Sequence, residues 1–572
     1  MTLHPWWKIF PGRLRQELRA LRDIGVRYEV DRQAFTEEHL KLKLEVRVGE
    51  STHRLTAEYP DTYPYFRVDV EAPDLSLNVH QNPFTKSLCL LGRRSENWYP
   101  SWTLAKLVRD QFPKLLAVAS APDRSAVSDL EERQGEPLTT FYPYTHDSVV
   151  LVDGAWRIPT DLPGGWIEVG VQSLRGQAFR GTVINVCDSQ RGVVASAPDG
   201  LGRLPTKQVT WFRWTRHSDF IVETDPNSLF GVVGDADPRV RPFIWQQLEG
   251  RILNLTGILM QEEVLPGSRA DAWVFVLREA PVGSKKKMGT PRPAREKTRL
   301  VQGQRAGSAD MAQRTPETAF LQEKKVSIVG LGCVGSGVAL ELAKSGCASL
   351  LLADWDAVDA GQIVRWPLGL KAAGRQKSEA LAGFINVNWP YSTAAPLTFR
   401  VGHNPTNDTS IVKLADLVLD CSAEVGVQRY LAGICRKEGK TLIMASTTPG
   451  ARGGTVTCVR SGPGEPCFHC FELHQDDGFI PDPPQDNNGM FQPVGCADPT
   501  FTGASFDTME ISLMAARTAV SELAGGQKGK YPEFPWNVAV LSLRSSGGEA
   551  LPPSWEVRRC KRHPACGENH GQ

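Results

Sequence analysis

The chain has 572 residues, with 65 lysines and arginines against 64 aspartates and glutamates, for a formal net charge of +1. That balance gives no global pull toward nucleic acid or an anionic membrane, so neither is expected as a partner, and no apolar run reaches the ~18 residues that a membrane-spanning helix needs. Hydrophobic residues at 41% and charged residues at 23% describe an ordinary globular chain, long enough for about two to four domains. The 12 cysteines are too sparse for a disulfide scaffold and cluster late, which points to thiol or metal chemistry in a reducing cytoplasm. The opening residues lack the apolar core of a secretory signal, so a cytoplasmic location is expected.

Taken in order, residues 11–24 carry Leu14, Leu18, Leu21 and Ile24 at helical spacing. Leu40, Leu42, Leu44, Val46 and Val48 alternate as in a half-buried strand. Further strand-like runs near 53–59 and 66–72 flank a Tyr-Pro-rich corner, 59–66. His80-Gln-Asn82 and then Cys89 follow, and Trp98 to Thr103 opens a helix through Leu104, Leu107 and Phe112. This predicts an α+β domain over 1–148. Cys89, between two leucines, also reads as a packed structural thiol. Residues 149–280 hold short apolar runs between Gly and Pro turns, which predicts a β-rich module. Residues 281–313, with Lys285-Lys-Lys287 and Pro291, read as a solvated flexible tether.

Residues 314–572 are organised around Val326-Ser-Ile-Val-Gly-Leu-Gly-Cys-Val-Gly335. A buried strand runs into Gly330, Gly332 and Gly335, a helical pattern follows, and a second strand, 350–353, ends at Asp354. Glycines let the backbone approach a phosphate, amides at a helix start attract it, and an acid at the next strand tip can bond a ribose hydroxyl. A nicotinamide-type Rossmann domain fits these features as well. Farther on, Asp420 and Glu424 end another strand, and Cys467-Phe-His-Cys470 faces Cys560 and Cys566 at the far end of the chain. Two distant cysteine pairs can close a tetrahedral zinc site, with His563 able to replace one thiol. Cys496 stands apart from both pairs, after a loop rich in Pro, Asp and Asn.

The run from Asp354 to Arg365, followed by Gly374-Arg-Gln-Lys377, resembles the nucleotide-binding segment of the ThiF/MoeB and ubiquitin-activating (E1) family, which adenylates protein C-termini. The resemblance implies ATP as cosubstrate, Arg365 and Lys377 on its phosphates, and Mg²⁺ as cofactor. It implies an aspartate ligand at position 423, where this chain has Ala423, so Asp420 or Glu424 must supply the carboxylate. It further implies a thioester-forming cysteine on a late mobile segment, matched by Cys496, and an arginine reaching a partner subunit's ATP site, matched by Arg314. The segment 59–104 resembles a ubiquitin-conjugating (E2) domain, with Cys89 as thioester carrier and Asn82 or His80 as oxyanion support. The domain order resembles the fused E2–E1 proteins of bacterial CBASS anti-phage operons. That resemblance implies a bacterial homodimer whose protein substrate ends in glycine, a cGAS/DncV-like nucleotidyltransferase or a ubiquitin-like protein, for transfer to lysines of a target. A sulfur-carrier activator of the ThiF/MoeB kind is the competing class. The expected fold is thus an α/β and α+β multidomain chain: UBC-like domain, β-rich middle, Rossmann-like adenylation domain.

Overall fold

A computed structural model describes residues 5–91, 98–120, 137–175, 178–202, 204–244, 253–265, 268–279, 297–491, 500–544 and 549–567. The chain divides into two compact units, one holding Met1–Ser196 with Thr206–Arg305, the other Ala197–Pro205 with Ala306–Gln572.

The first unit begins with helix Pro11–Asp23, entered by a proline at its first turn. Strands Arg27–Val30, Leu40–Val48, Ser51–Tyr59 and Asp69–Glu71 form an antiparallel sheet in that order. Period-two alternation puts Leu40, Leu42, Leu44 and Val46 in the core, against Leu55, Ala57 and Tyr59. Trp6 and Trp7, in a short helix that the hydrophobic pattern had not flagged, are buried in the same core. Helices Leu104–Asp110 and Phe112–Ser120 follow.

Glu17, fully buried, ties these pieces together. Its carboxylate accepts from Leu104 N at 2.9 Å and Tyr59 Oη at 3.3 Å, bonds the Tyr63 hydroxyl, and pairs with Arg13 at 2.9 Å. Burial pushes its pKa up, against those same contacts.

The β-rich region is more ordered than its sequence suggests. Val149–Val152 pairs in parallel with both Lys297–Arg305 and Ala178–Cys187, which closes a seven-stranded barrel through Ser268–Glu279, Leu253–Leu265, Gln208–Arg216 and Gly164–Arg175. Val193–Ser196 hangs on as an eighth strand. Closure removes the open edges that such a sheet otherwise exposes. Helix Pro226–Ala236, N-capped by Asp225, packs Leu229, Phe230 and Val233 with Ile258, Val274 and Leu300. The expected tether therefore needs correction: residues 297–305 are a barrel strand and 308–312 a helix, while 280–296 lie outside the described residues.

In the second unit, strands Thr393–Leu397, Ser349–Ala353, Lys325–Val329, Leu417–Asp420 and Thr441–Thr447 lie parallel in that order. Gly453–Val459, Val538–Arg544 and Ala550–Arg558 extend the sheet antiparallel. The central strands are near-continuous apolar runs because both faces are covered. Helix Cys333–Lys344 packs against the long helix Ser505–Ala524, where Ser512 Oγ donates to Val334 O at 3.0 Å. Strand order reverses around Lys325–Val329, the place where doubly wound sheets open a ligand crevice.

Candidate active site

A cleft of about 230 Å³ opens at that reversal, lined among others by Gly330, Gly332, Asp354, Lys377, Arg400 and Glu424. Gly330 has φ +76°, and a Cβ there would lie 2.6 Å from Ser422 backbone atoms. A Cβ on Gly335 would collide with Gly330 O, so both glycines are demanded by the fold of the turn. Gly332 differs: a Cβ there meets nothing within 4 Å, so its side faces the open cleft. Gly332 is also the N-cap of helix Cys333–Lys344 and supplies no side-chain cap. The first-turn amides and the positive helix end therefore face a space in which an anion is favoured.

Asp354 is buried at its strand tip, accepting from Leu331 N at 2.6 Å and Asp356 N at 2.8 Å. Burial raises its pKa, while those two amides pull it down. Lys377 opens helix Lys377–Asn388, is itself buried, and its Nζ meets Asp356 Oδ2 at 2.5 Å. Arg365 does not line the cleft as Lys377 does. Its guanidinium donates to Thr500 Oγ1 at 3.2 Å and stacks 4.5 Å over Phe501. Its charge also reaches the Cys333 thiol, opposing the burial that pushes that thiol up.

Asp420 is fully buried, with Oδ1 accepting from Ser422 N at 2.9 Å and Oδ2 lacking a hydrogen-bond partner among the described residues. Burial pushes its carboxyl up to about 6. Glu424 lines the cleft directly and lies 3.7 Å from Arg400. Ala423, between them, has φ +60°, the left-handed region that suits Gly, Asn or Asp better than Ala.

Cys89 is half-buried, its Sγ 3.4 Å from Leu91 O. Its amide donates to His80 O at 2.7 Å, and His80 itself holds φ +56°. Asn82 Oδ1 accepts from Phe84 N at 2.9 Å and Thr85 N at 3.1 Å, so that oxygen fastens the 82–87 turn. Gln81, buried, bonds Leu77 N and Ala72 O and holds the same loop. Cys496 lies outside the described residues, between the paired strands Met490–Phe491 and Thr500–Phe501.

Cys467, Cys470 and Cys566 bring three buried thiols within 4.8 Å of one another, a donor set suited to a soft metal such as zinc. Burial and the neighbouring thiols push Cys467 up to about 12, and binding a cation is what relieves such crowding. Cys560 does not join the three. Its backbone is clamped by Asn537, which accepts from Cys560 N at 2.7 Å and donates to Cys560 O at 2.9 Å. His563 has both ring nitrogens engaged, with Asp477 at 2.7 Å and Ala565 N at 3.1 Å.

Comparison with known proteins places this geometry. Residues 309–545 match the ThiF family. The whole chain is 30% identical to the uncharacterized protein y4oA of Sinorhizobium fredii (strain NBRC 101917 / NGR234), over 98% of this chain and 97% of that protein. The chain is a y4oA-family protein carrying a ThiF-family domain. Within the y4oA-family chain, narrower likenesses fall on fractions of the length. One is to the adenylyltransferase and sulfurtransferase MOCS3 of Xenopus laevis, 28% identical over 35% of this chain and 42% of that protein. Another is to the ATP-dependent ubiquitin transferase-like protein Cap2 of Enterobacter hormaechei subsp. hoffmannii (strain UCI 50), 28% identical over 28% of this chain and 27% of that protein.

In this ThiF-family domain the structure gathers Gly330, Gly332, Asp354 and Lys377 at one cleft, with Gly335 shaping the turn behind it. Asp420 stands behind the cleft wall, and Arg365 turns toward the segment flanking Cys496. Arg314 is exposed, between helix Ser308–Ala312 and the 3-10 helix Pro316–Glu323. Sequence reasoning missed Arg400, which lies 5.3 Å over the half-exposed Trp355 ring, and Asp356, the partner of Lys377. Asp356 had a signal in the Asp-Trp-Asp spacing, whereas Arg400 follows a strand with no motif around it.

Proposed function

We propose that this protein adenylates the C-terminal carboxylate of a protein substrate and passes the acyl group along its own thiols to an amine. The observation that carries the reading is the convergence of an uncapped helix start, Asp354 and Lys377 on one cleft. A hydride-transfer site needs no buried lysine beside the phosphate turn. ATP binds with a ribose hydroxyl on Asp354 and its phosphates over Gly330–Gly335, with Lys377 offsetting charge there and Arg365 joining it once its guanidinium turns from Thr500 and Phe501 toward the phosphates. The cleft carboxylates fit Mg²⁺, with Glu424 at the wall and Asp420 behind it. The ion supplies charge neutralisation on the phosphates when bound.

The substrate carboxylate attacks the α-phosphorus and pyrophosphate leaves, giving an acyl-adenylate. The Cys496 thiolate then attacks the acyl carbon and AMP departs. Cys89, half-exposed beside the left-handed His80, accepts the acyl group by thioester exchange, and a target lysine amine releases it. His80 or Asn82 supports the oxyanion. The helix, four-stranded sheet and cysteine loop of the first unit support an E2-type role for it. The substrate class is a chain ending in glycine, either a cGAS/DncV-like nucleotidyltransferase in anti-phage defence or a ubiquitin-like protein. Arg314, exposed, serves the cleft of a second copy in a homodimer. The MOCS3 likeness favours a second reading, activation of a sulfur carrier, in which Cys89 plays no part.

Incubation with ATP and a glycine-ended candidate, read by non-reducing gels and intact mass, separates these. Reducible adducts are expected on Cys496 and Cys89. Cys496→Ala should abolish both and Cys89→Ala only its own. An adduct on Cys89 that persists without Cys496 contradicts the order of transfer, and activity indifferent to Cys89 favours sulfur-carrier chemistry.

A further inference from the structure

The segment that carries Cys89 is a small hairpin, residues 80–89. Cys89 N donates to His80 O at 2.7 Å, Asn82 N to Ser87 O at 2.8 Å and Lys86 N to Asn82 O at 2.9 Å, and Gln81 faces Leu88 in an antiparallel bridge. The arm with Cys89 also runs beside strand Asp69–Glu71, where Leu88 N donates to Val70 O at 2.7 Å and Ser87 bridges Glu71. Leu88 and Leu90 are buried in the core of the α+β region. Alternation along the arm turns Cys89, between them, the other way, where it is half-buried.

The tip of the hairpin reaches a different core. The Phe84 ring centre lies 5.4 Å from that of Tyr142 and 5.8 Å from that of Phe220, and those two are 5.2 Å apart. This aromatic triangle packs with the barrel residues Ile258 and Leu300. Tilted ring pairs at such separations are favourable beyond their burial. The Tyr142 hydroxyl donates to Ile221 O at 2.6 Å, which fixes the ring that Phe84 meets and ties it to the neighbour of Phe220. Asn82 Oδ1, by accepting from Phe84 N and Thr85 N, sets the turn from which the Phe84 side chain projects.

A two-stranded hairpin is marginal alone in water, so its geometry is set by what it packs on. This one is pinned twice, by its leucines in one core and by Phe84 in the other. A mere spacer between active sites needs no such anchor from the cysteine hairpin.

We propose, resting on the reading of Cys89 as an acyl carrier, that the barrel is the platform that positions this thiol and that Phe84 is the positioning residue. In the exchange the Cys89 thiolate attacks the acyl carbon, a new S–C bond forms, and the donor's C–S bond breaks as its thiolate leaves. Phe84 takes no part in those bonds. It holds the hairpin so that the thiol and the oxyanion support of His80 or Asn82 keep one arrangement.

Two rates measured at Cys89 of the full-length protein, each resolved by peptide mass, test this without ATP or a protein substrate. One is alkylation by iodoacetamide, and the other is acylation by the mercaptoethanesulfonate thioester of N-acetylglycine. Phe84→Ala is expected to raise alkylation about threefold or more, because a loosened hairpin exposes the half-buried thiol. It should lower acylation at least about tenfold, because misplacement by an ångström costs that much or more. Phe220→Ala, made from the barrel side, should do the same, and the double variant should add little, as expected of residues in contact. Phe84→Tyr, which keeps the ring, should restore both rates to within about twofold. Rates that stay unchanged in Phe84→Ala, that move in the same direction, or that respond to Phe84→Ala and not to Phe220→Ala overturn the proposal. A wild-type Cys89 that takes no acyl group overturns the carrier reading instead, and the alkylation rates alone then decide whether the barrel holds the hairpin.

Discussion

Gly332 and Gly335 belong to one turn, yet an added methyl group meets opposite surroundings at the two. At Gly335 it strikes the carbonyl of Gly330, and at Gly332 it enters open cleft. Gly335→Ala is therefore expected to destabilise the second unit by about 1–3 kcal/mol, as overpacking does, measured by urea unfolding. Gly332→Ala should cost less than about 1 kcal/mol while weakening ATP binding at least tenfold. Equal stability losses at both sites would contradict the assignment of one glycine to the fold and the other to the ligand.

Asp420 offers a pH test at the same scale. Its folded pKa is pushed up to about 6, above the ordinary 3.8, so between those values the folded state binds more protons than the unfolded one. The favourable contribution is present at low pH and is lost as pH rises through about 4 to 6, on the order of 3 kcal/mol in all. Asp420→Asn should remove that slope from a plot of unfolding free energy against pH. Mg²⁺ should flatten it in wild type if Asp420 is a ligand, and leave it alone if Glu424 serves instead.

Among the elements, helix Pro11–Asp23 is fastened less by its leucine stripe than by one buried acid. Of the stripe only Leu21 is fully buried, Leu14, Leu18 and Ile24 being partly so, whereas Glu17 is fully buried and binds Arg13, Tyr59, Tyr63 and Leu104 N. Glu17→Ala strands Arg13 and the Leu104 amide and should cost about 3–5 kcal/mol by denaturant melt. A loss below about 1 kcal/mol would show that the leucines carry the helix after all. The late cysteines make the other element-scale prediction. Zinc analysis of the purified protein should find about one equivalent, lost in Cys470→Ser and retained in Cys560→Ser, because only the former belongs to the three-thiol group. Loss of zinc in Cys560→Ser would bring the fourth thiol back into the site.

At the scale of the molecule, what could be read in advance was what is local. The glycine turn and Asp354 lie within one strand–helix–strand stretch and Lys377 opens the next helix, so their spacing carries their chemistry. The alternating leucines of Leu40–Val48 announced their own strand for the same reason. The barrel was illegible because its closing pair joins Val149–Val152 to Lys297–Arg305, and no local pattern encodes a partner so distant in sequence. That pairing also turns part of an expected tether into a strand. Buried charge was equally hidden: nothing in the helical pattern marks Glu17 as interior, since acids at such positions are ordinarily solvated. The contacts of Arg365 with Thr500 and Phe501 were illegible for the same reason as the barrel, since they depend on a segment far along the chain.

The central claim, that the cleft at the strand reversal is an ATP site, can be tested without knowing the protein substrate. Calorimetric titration of the purified chain with Mg²⁺–ATP and, separately, with NAD⁺ should show ATP binding at one site per chain, weakened at least tenfold by Lys377→Ala, and no heat from NAD⁺. Binding of NAD⁺ that ATP displaces, or ATP binding untouched by Lys377→Ala, would contradict the account.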